Sequence, residues 1–368
     1  MKTNLSPSVS NIQHWISHIT KFQEIPYCFI SAPFADDFCL ITGNRKTHQR
    51  LISKIVDQTK SMGLKLKPSK CRSLSLSRGY PTEIPFSLDG NIIPTVKDES
   101  HKFLGAQITY NNRDSEIFKY MYDKLSKGLT NINESLIRNE YKLKVCADYL
   151  LPSLRFDLTV NDMCESHLKD LDRLLDRYLK KWSGLPHPGT LAFLHMPQGL
   201  NVHSISDIYK EGHLVAHIST RMKGDQQVNS CLDSRIARES NWTRKISHIV
   251  QNENTFNDIM ALEPNLHAAK LSAKKSVRDQ VADYWKSHVK TLTVQGRFLE
   301  LLAEEETAYH WKSFIYNLPA GVCKFMINSL SDTLNTNVNL LRWGKKTTDK
   351  CKNCKNRETT AHVLSHCP

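Results

Sequence analysis

The spacing of apolar positions changes character along the chain. Two short apolar runs, Tyr27 to Ile30 and Phe38 to Thr42, flank Phe34-Ala35-Asp36-Asp37, which is the pattern of a β-hairpin with a carboxylate pair at its turn. Leu51, Ile52, Ile55, Val56 and Met62 then recur at helical spacing, so residues 45 to 62 predict an amphipathic helix closed by Gly63. Residues 63 to 71 predict a short strand and a turn at Pro68, followed by a second strand through Leu76. Phe86 to Pro94 predicts a hairpin pivoting on Asp89-Gly90, and Lys102-Phe103-Leu104-Gly105 opens another strand.

From residue 112 to 220 the alternation gives way to three-and-four spacing, as in Leu168, Leu171, Leu175, Tyr178 and Trp182, which predicts the core stripe of a helix bundle. The polar positions beside it carry Lys169, Arg173, Arg177, Lys180 and Lys181 together with Asp170, Asp172 and Asp176. Such mixed signs predict a solvated face rather than a phosphate track. Residues 221 to 295 contain polar stretches that predict loops between helices, and no site is placed there.

At 368 residues, 40% apolar and 24% charged, the chain can bury a sizeable core and form two or three domains. Fifty Lys and Arg against 37 Asp and Glu give a net charge of +13, which favours polyanionic partners. No run approaches the length of a transmembrane span, and Met1 to Pro7 lack the apolar core of a signal peptide, so the expected location is nuclear or cytoplasmic, with no membrane partner. Scattered cysteines such as Cys28, Cys39, Cys71, Cys146, Cys164, Cys231 and Cys323 fit thiols of a reducing compartment.

Near the C-terminus the cysteine pattern tightens. Cys351, Cys354, His362 and Cys367 form C-x2-C-x7-H-x4-C, and three thiolates with one imidazole suit a closed, structural Zn(II) site with Zn–S distances of about 2.3 Å. His366 is a competing ligand beside Cys367, which is the softer donor. Around this knuckle, Arg342, Lys345, Lys346, Lys350, Lys352, Lys355 and Arg357 face only Asp349, with Trp343 among them. Such a tract is a candidate phosphate-contacting surface, and the alternative is a solubilising linker.

An Asp-Asp pair by itself is ordinary turn chemistry. The order of elements after Asp36-Asp37 gives it more weight, because that order resembles the second half of a reverse transcriptase palm of the non-long-terminal-repeat retrotransposon kind. The stretches Asp170 to Leu175, Leu179 to Pro186 and Gln198-Gly199-Leu200-Asn201 resemble the thumb and following linker of those proteins, although Gln198 and Asn201 replace two glycines. Trp311, Leu318-Pro319, Phe325 and Asn339 to Gly344 resemble the segment that leads into their zinc module. The combination is similar to the clade, including ribosomal-DNA-inserting elements, that places a CCHC knuckle and a restriction-enzyme-like endonuclease after the polymerase. The resemblance covers roughly residues 25 to 220 and 297 to 368.

That resemblance implies an α+β fold: a partial palm of antiparallel strands plus a helix over 1–110, a helical thumb over 111–220, a helical linker over 221–345 and a zinc knuckle over 346–368. It implies that Asp36 and Asp37 hold Mg(II) ions, joined in the intact relative by an upstream Asp. It also places Lys70 facing the incoming triphosphate and Phe103-Leu104-Gly105 as the primer grip. The implied partners are an RNA template and a DNA primer or target. Lys67 stands where the family has Asn, which puts that turn in question. Residues 1 to 35 contain no Asp and one Glu, Glu24, so the expectation is a part of an RNA-directed DNA polymerase that is inactive by itself. The alternative is a non-enzymatic nucleic-acid-binding remnant that uses the thumb and the knuckle.

Overall fold

The alternating runs near the start pair as a hairpin: Cys28–Phe34 (β1) lies antiparallel to Asp37–Thr42 (β2), with Phe29 opposite Ile41 and Phe34 opposite Asp37. The register shifts between Ser31 and Phe34, where Pro33 has no N–H to continue the ladder. The computed structural model describes residues 28–34, 37–78, 80–97, 101–103, 106–108, 110, 114–226, 228–230, 259, 261, 265–304 and 311–367. The chain divides into two units, Met1–Glu116 and Ile117–Pro368.

In the first unit, helix Arg45–Ser61 (α1) begins where the Asn44 side chain accepts the N–H groups of Lys46 and Thr47, and it ends at Met62. Its Leu51, Ile52, Ile55 and Val56 are buried, and Ile52 and Val56 form a small core with Phe86, Leu88 and Ile93. Gln49 bonds Ser87 twice through its side chain, at 2.7 and 3.0 Å, and so fixes strand Ser87–Leu88 (β5) on the helix. That strand returns as Asn91–Ile92 (β6) through Asp89 and Gly90 at φ +50° and +78°, the turn the sequence called for.

Two further hairpins join Ser75–Ser77 (β3) to Tyr80–Thr82 (β4) and His101–Phe103 (β7) to Ala106–Ile108 (β8). The strand expected at residues 64–67 does not form. Leu64 instead donates its N–H to Thr59 O and completes the end of α1, and Pro68–Lys70 is a 3-10 turn.

The second unit is helical. Asp114–Glu134 (α2) buries Ile117, Met121, Leu125 and Leu129, one residue per turn. Asn139–Val145 (α3) continues through a π-helical turn, Cys146–Leu150, into Leu151–Val160 (α4). Pro152 cannot donate within that helix, and the N–H of Leu151 just before it reaches back to Cys146 O. Glu165–Ser183 (α5) carries the predicted stripe, with Leu168, Leu171, Leu175 and Trp182 all buried.

Ala192–His195 (α6), Ile205–Met222 (α7), Leu266–Thr291 (α8), Gly296–Glu304 (α9), Trp311–Phe314 (α10), Ala320–Leu330 (α11) and Asn337–Arg342 (α12) follow. α8 runs 26 residues within the stretch expected as a helical linker, past the polar segments read as loops. Its Ala269, Ala273 and Val277 pack on Leu214 and Ile218 of α7, an alanine-rich contact that an apolar pattern search underweights. Among the described residues the protein is mostly helical, with a few short antiparallel strands.

Candidate metal centre and nucleic-acid interface

Cys351 and Cys354 sit on a tight reversal. Lys350 bridges to Arg357 in antiparallel fashion, Cys351 N–H donates to Asn356 O at 2.7 Å, and Lys355 N–H donates to Cys351 O at 3.0 Å. Lys355 adopts φ +62° to close it. His362 follows on a segment whose N–H is capped by Thr359 Oγ1 at 3.1 Å. His362–His366 then winds as one π-helical turn that ends at Cys367. An α-helix, at 3.6 residues per turn, would carry the fifth residue well off the face of His362, whereas the wider turn brings it back.

The four ligand atoms of Cys351, Cys354, His362 and Cys367 lie within 4.8 Å of one another. Cys351 Sγ is 3.8 Å from Cys367 Sγ, and Cys354 Sγ is 3.3 Å from His362 Nε2. A tetrahedron with ligands about 2.3 Å from its centre has edges of about 3.8 Å, so the spacing of this donor set matches a Zn(II) polyhedron. The N–H of Cys354, the His362 ring and the N–H of Asn353 draw the Cys351 thiol down to about 6. Loss of solvent and the neighbouring Cys351 and Cys354 sulfurs push Cys367 up to about 11. The Cys367 sulfur thus holds a proton that a divalent cation would displace.

The sequence reading missed what holds the knuckle in place. Asn337, at the start of α12, donates through Nδ2 to Lys350 O at 2.6 Å and to Glu358 Oε2 at 2.9 Å, while its N–H meets Glu358 Oε1 at 3.0 Å. Thr360 donates to the Asp332 carboxylate at 2.5 Å. Buried Asn337 and Thr360 thus fasten the metal loop to α12 and to the turn ahead of it. The legible signal was Thr336, an N-cap whose hydroxyl accepts the Asn339 N–H.

The basic tract is exposed but not uniformly free. Arg357 pairs with Asp349 at 2.7 Å, Lys346 Nζ donates to Asn337 Oδ1 at 2.5 Å, and Arg342 donates to Asn339 Oδ1 at 3.2 Å. Lys345, Lys350, Lys352 and Lys355 are exposed, with Lys345 Nζ 5.9 Å from the centre of the Trp343 ring. The result is a cationic rim with an aromatic beside it.

Of the palm candidates, Asp37 opens β2 opposite Phe34, and Asp36 lies outside the described residues. Lys70 is exposed at the end of its 3-10 turn. Phe103 ends β7, half-buried and opposite Ala106, while Leu104 and Gly105 lie outside the described residues.

Two aspartates depart from the solvated face predicted on α5. Asp172 accepts the N–H groups of Ile205 and Ser206, at 2.6 and 3.3 Å, and the Ser206 hydroxyl, anchoring the start of α7. Burial pushes its carboxyl up to about 6 against the pull of Ser206. Asp176 is buried and bonds His195 Nε2 at 2.9 Å. The helical period alone could not distinguish these inward acids from Asp170, which pairs with exposed Arg173 at 2.7 Å.

Residues 293–368 match the family described as zinc-binding in reverse transcriptase. The chain is 24% identical over 358 residues to the retrovirus-related Pol polyprotein from type-2 retrotransposable element R2DM of Drosophila melanogaster, covering 92% of this chain and 31% of that protein. It is 21% identical over 355 residues to the Pol polyprotein from type-1 retrotransposable element R2 of Nasonia vitripennis, covering 91% and 30%. Over 178 residues it is 28% identical to the corresponding R2 protein of Popillia japonica, covering 46% and 28%. Its homologues are Pol polyproteins of R2 retrotransposable elements. The chain spans about a third of the length of these curated relatives.

The matched zinc-binding segment of this R2-related chain begins well before the knuckle, and the structure ties that segment back to the helices ahead of it. Gln295 accepts the Thr190 N–H at 2.7 Å and donates to Pro188 O at 3.1 Å. Trp311 Nε1 donates to Gln198 O at 3.0 Å, and Lys312 donates to Pro197 O. The turn Gln198 to Asn201 is therefore clasped from the zinc-binding side, with Asn201 itself at φ +55°. No described helix is long and apolar enough to cross a membrane.

Proposed function

We propose that these residues form the part of a retrotransposon RNA-directed DNA polymerase that runs from the palm hairpin through the thumb to a structural Zn(II) module, and that they serve there by gripping nucleic acid. The observation that carries this reading is the set of four converging donors, spaced as a tetrahedron, at the end of a segment matched to zinc-binding in reverse transcriptase. Cys351, Cys354, His362 and Cys367 are the ligands, and no donor position is left open for catalysis, so the metal is structural. Lys345, Lys346 and Lys350, with Arg342, present positive charge to phosphates.

On the same reading Asp36 and Asp37 belong to a two-Mg(II) site that needs a further carboxylate, Lys70 faces the triphosphate and Phe103 to Gly105 lie along the primer. Such a pair of ions clamps the attacking and leaving oxygens of phosphoryl transfer. In favour of a gripping role for these 368 residues are the net charge of +13 and the exposed cations around the knuckle.

The deciding experiment replaces Lys345, Lys346 and Lys350 together with Ala and measures RNA and DNA affinity across a salt series. Each lost phosphate contact lowers the slope of log affinity against log salt by about one unit. Weaker binding to both polymers with a shallower slope supports the reading. Unchanged affinity and slope would remove the tract as a binding surface.

A further inference from the structure

Away from the zinc module, two tyrosines from distant parts of the chain come together in the helical unit. Tyr141 on α3 and Tyr316, just after α10, have ring centroids 5.6 Å apart and inclined by 32°. The Tyr141 hydroxyl donates to Tyr316 O at 3.4 Å. Arg138 stands 5.8 Å from the centre of the Tyr141 ring, and Lys144 stands 5.7 Å from that of Tyr316. Each cation is braced in place, Arg138 by Glu140 and Leu318 O, Lys144 by Asp148 at 2.5 Å.

A core role would bury both rings; Tyr316 is half-buried against the helical core, but Tyr141 beside it is 40% exposed. A solvated surface role would leave the cations mobile, whereas here they are fixed beside ring faces. A part-exposed ring backed by a second one, with a braced cation within 6 Å of each, offers what an unpaired nucleobase and its phosphates require: the base stacks on the accessible part of the ring and the backbone lies against the guanidinium and ammonium groups. The bases of a duplex are already stacked and offer no free face.

We infer that Tyr141 and Tyr316, with Arg138 and Lys144, form a stacking platform for single-stranded nucleic acid. The inference rests on the nucleic-acid-gripping reading above and adds a site and a strand preference to it. Stacking on an aromatic contributes about 1–3 kcal/mol per base, so removing one ring weakens binding by about 5- to 150-fold.

The test uses the full chain and single-stranded RNA and DNA oligonucleotides of about 15 nucleotides, a length within the span of known single-strand sites. Their affinities are read by fluorescence anisotropy beside a duplex of equal length and an abasic strand of equal charge. Tyr141→Ala should weaken single-strand binding about tenfold with no change in salt slope. Tyr141→Phe keeps the ring and loses the hydroxyl, and it should bind within about twofold of the parent.

The unaltered chain should hold the abasic strand about as weakly as Tyr141→Ala holds the base-bearing one. This arm needs no variant and so survives any folding defect. Equal affinity of the parent for base-bearing and abasic strands would overturn the platform while leaving the lysine tract and its salt slope standing. A parent that binds no nucleic acid would overturn both proposals. Self-association in sedimentation that Tyr141→Ala abolishes would reassign the patch as a contact between copies of this chain.

Discussion

Replacing Asp176 with Asn isolates a buried charge pair in the helical unit. His195 donates to Asp176 Oδ1 through Nε2 at 2.9 Å, and its Nδ1 lies 2.7 Å from Val202 O. A backbone carbonyl can only accept, so opposite a carboxylate at Asp176 this geometry suits an imidazole with protons on both ring nitrogens. Burial pushes its pKa down, but the Asp176 carboxylate and the Val202 carbonyl push harder in the other direction, and the net shift is upward from 6.5. A folded pKa above the unfolded one means that the pair's contribution is fully present below about pH 6.5 and is lost as pH rises through the folded pKa.

In Asp176→Asn the amide can donate to a neutral Nε2, so the charged hydrogen bond is exchanged for a neutral one. Hydrogen bonds to charged groups contribute about 1.5–3 kcal/mol and neutral ones about 0.5–1.5, so the variant should be less stable by about 1–1.5 kcal/mol at pH 6. For a unit of this size that lowers Tm by roughly 2 to 6 °C. Thermal unfolding followed by tryptophan fluorescence is a suitable assay, because Trp285 stacks on His195 with centroids 5.5 Å apart. The deficit should be largest near pH 6 and should shrink as pH rises. A deficit that stays constant from about pH 5.5 to 9, or that grows with pH, would refute the buried imidazolium.

Two further substitutions or assays probe other parts of the structure. A Cβ on Gly199 would stand 2.1 Å from Phe193 O, the same carbonyl that accepts the Leu200 N–H at 2.8 Å, so Gly199→Ala must open this turn. It should cost about 1–3 kcal/mol in a urea titration, as overpacking does, and an unchanged midpoint would contradict the close approach. Because residues 1 to 35 supply no Asp, the 368-residue chain should give no primer extension on an RNA template with Mg(II) or Mn(II). Extension that disappears in Asp36→Ala would show that a complete site assembles without the third carboxylate.

The readable features of this chain were those with a local cause. The I′ turn at Asp89-Gly90, the capped helix from Asn44 and the core stripe of α5 each follow from a few adjacent residues, and each appears where the pattern put it. The four zinc-module donors were legible because a chelating knuckle needs a fixed short spacing, and the structure draws them together.

Features whose cause lies far away in sequence were not legible. Asp172 and Asp176 read as surface acids because their partners, Ser206 and His195, come from other helices. Asn337 looked unremarkable until its contacts with Lys350 and Glu358 were formed. The strand expected at residues 64–67 failed because the end of α1 captured the Leu64 N–H, and within the expected helical linker the small residues of α8 concealed its packing on α7. Tyr141 and Tyr316 are separated by more than half of the second unit, so no window along the chain holds both.

Whether the C-terminal module is built on zinc, with the ligands drawn together here, is decided most directly by elemental analysis of the purified chain combined with Zn K-edge X-ray absorption. One Zn(II) per chain, bound by three sulfurs at about 2.3 Å and one nitrogen at about 2.0–2.1 Å, is the predicted result. Cys354→Ser should lower the sulfur count to two, and His366→Ala should leave metal content and spectrum at the parental values. A chain that purifies without zinc, or one whose His366→Ala variant loses metal as readily as Cys354→Ser, would contradict the Cys351, Cys354, His362 and Cys367 centre.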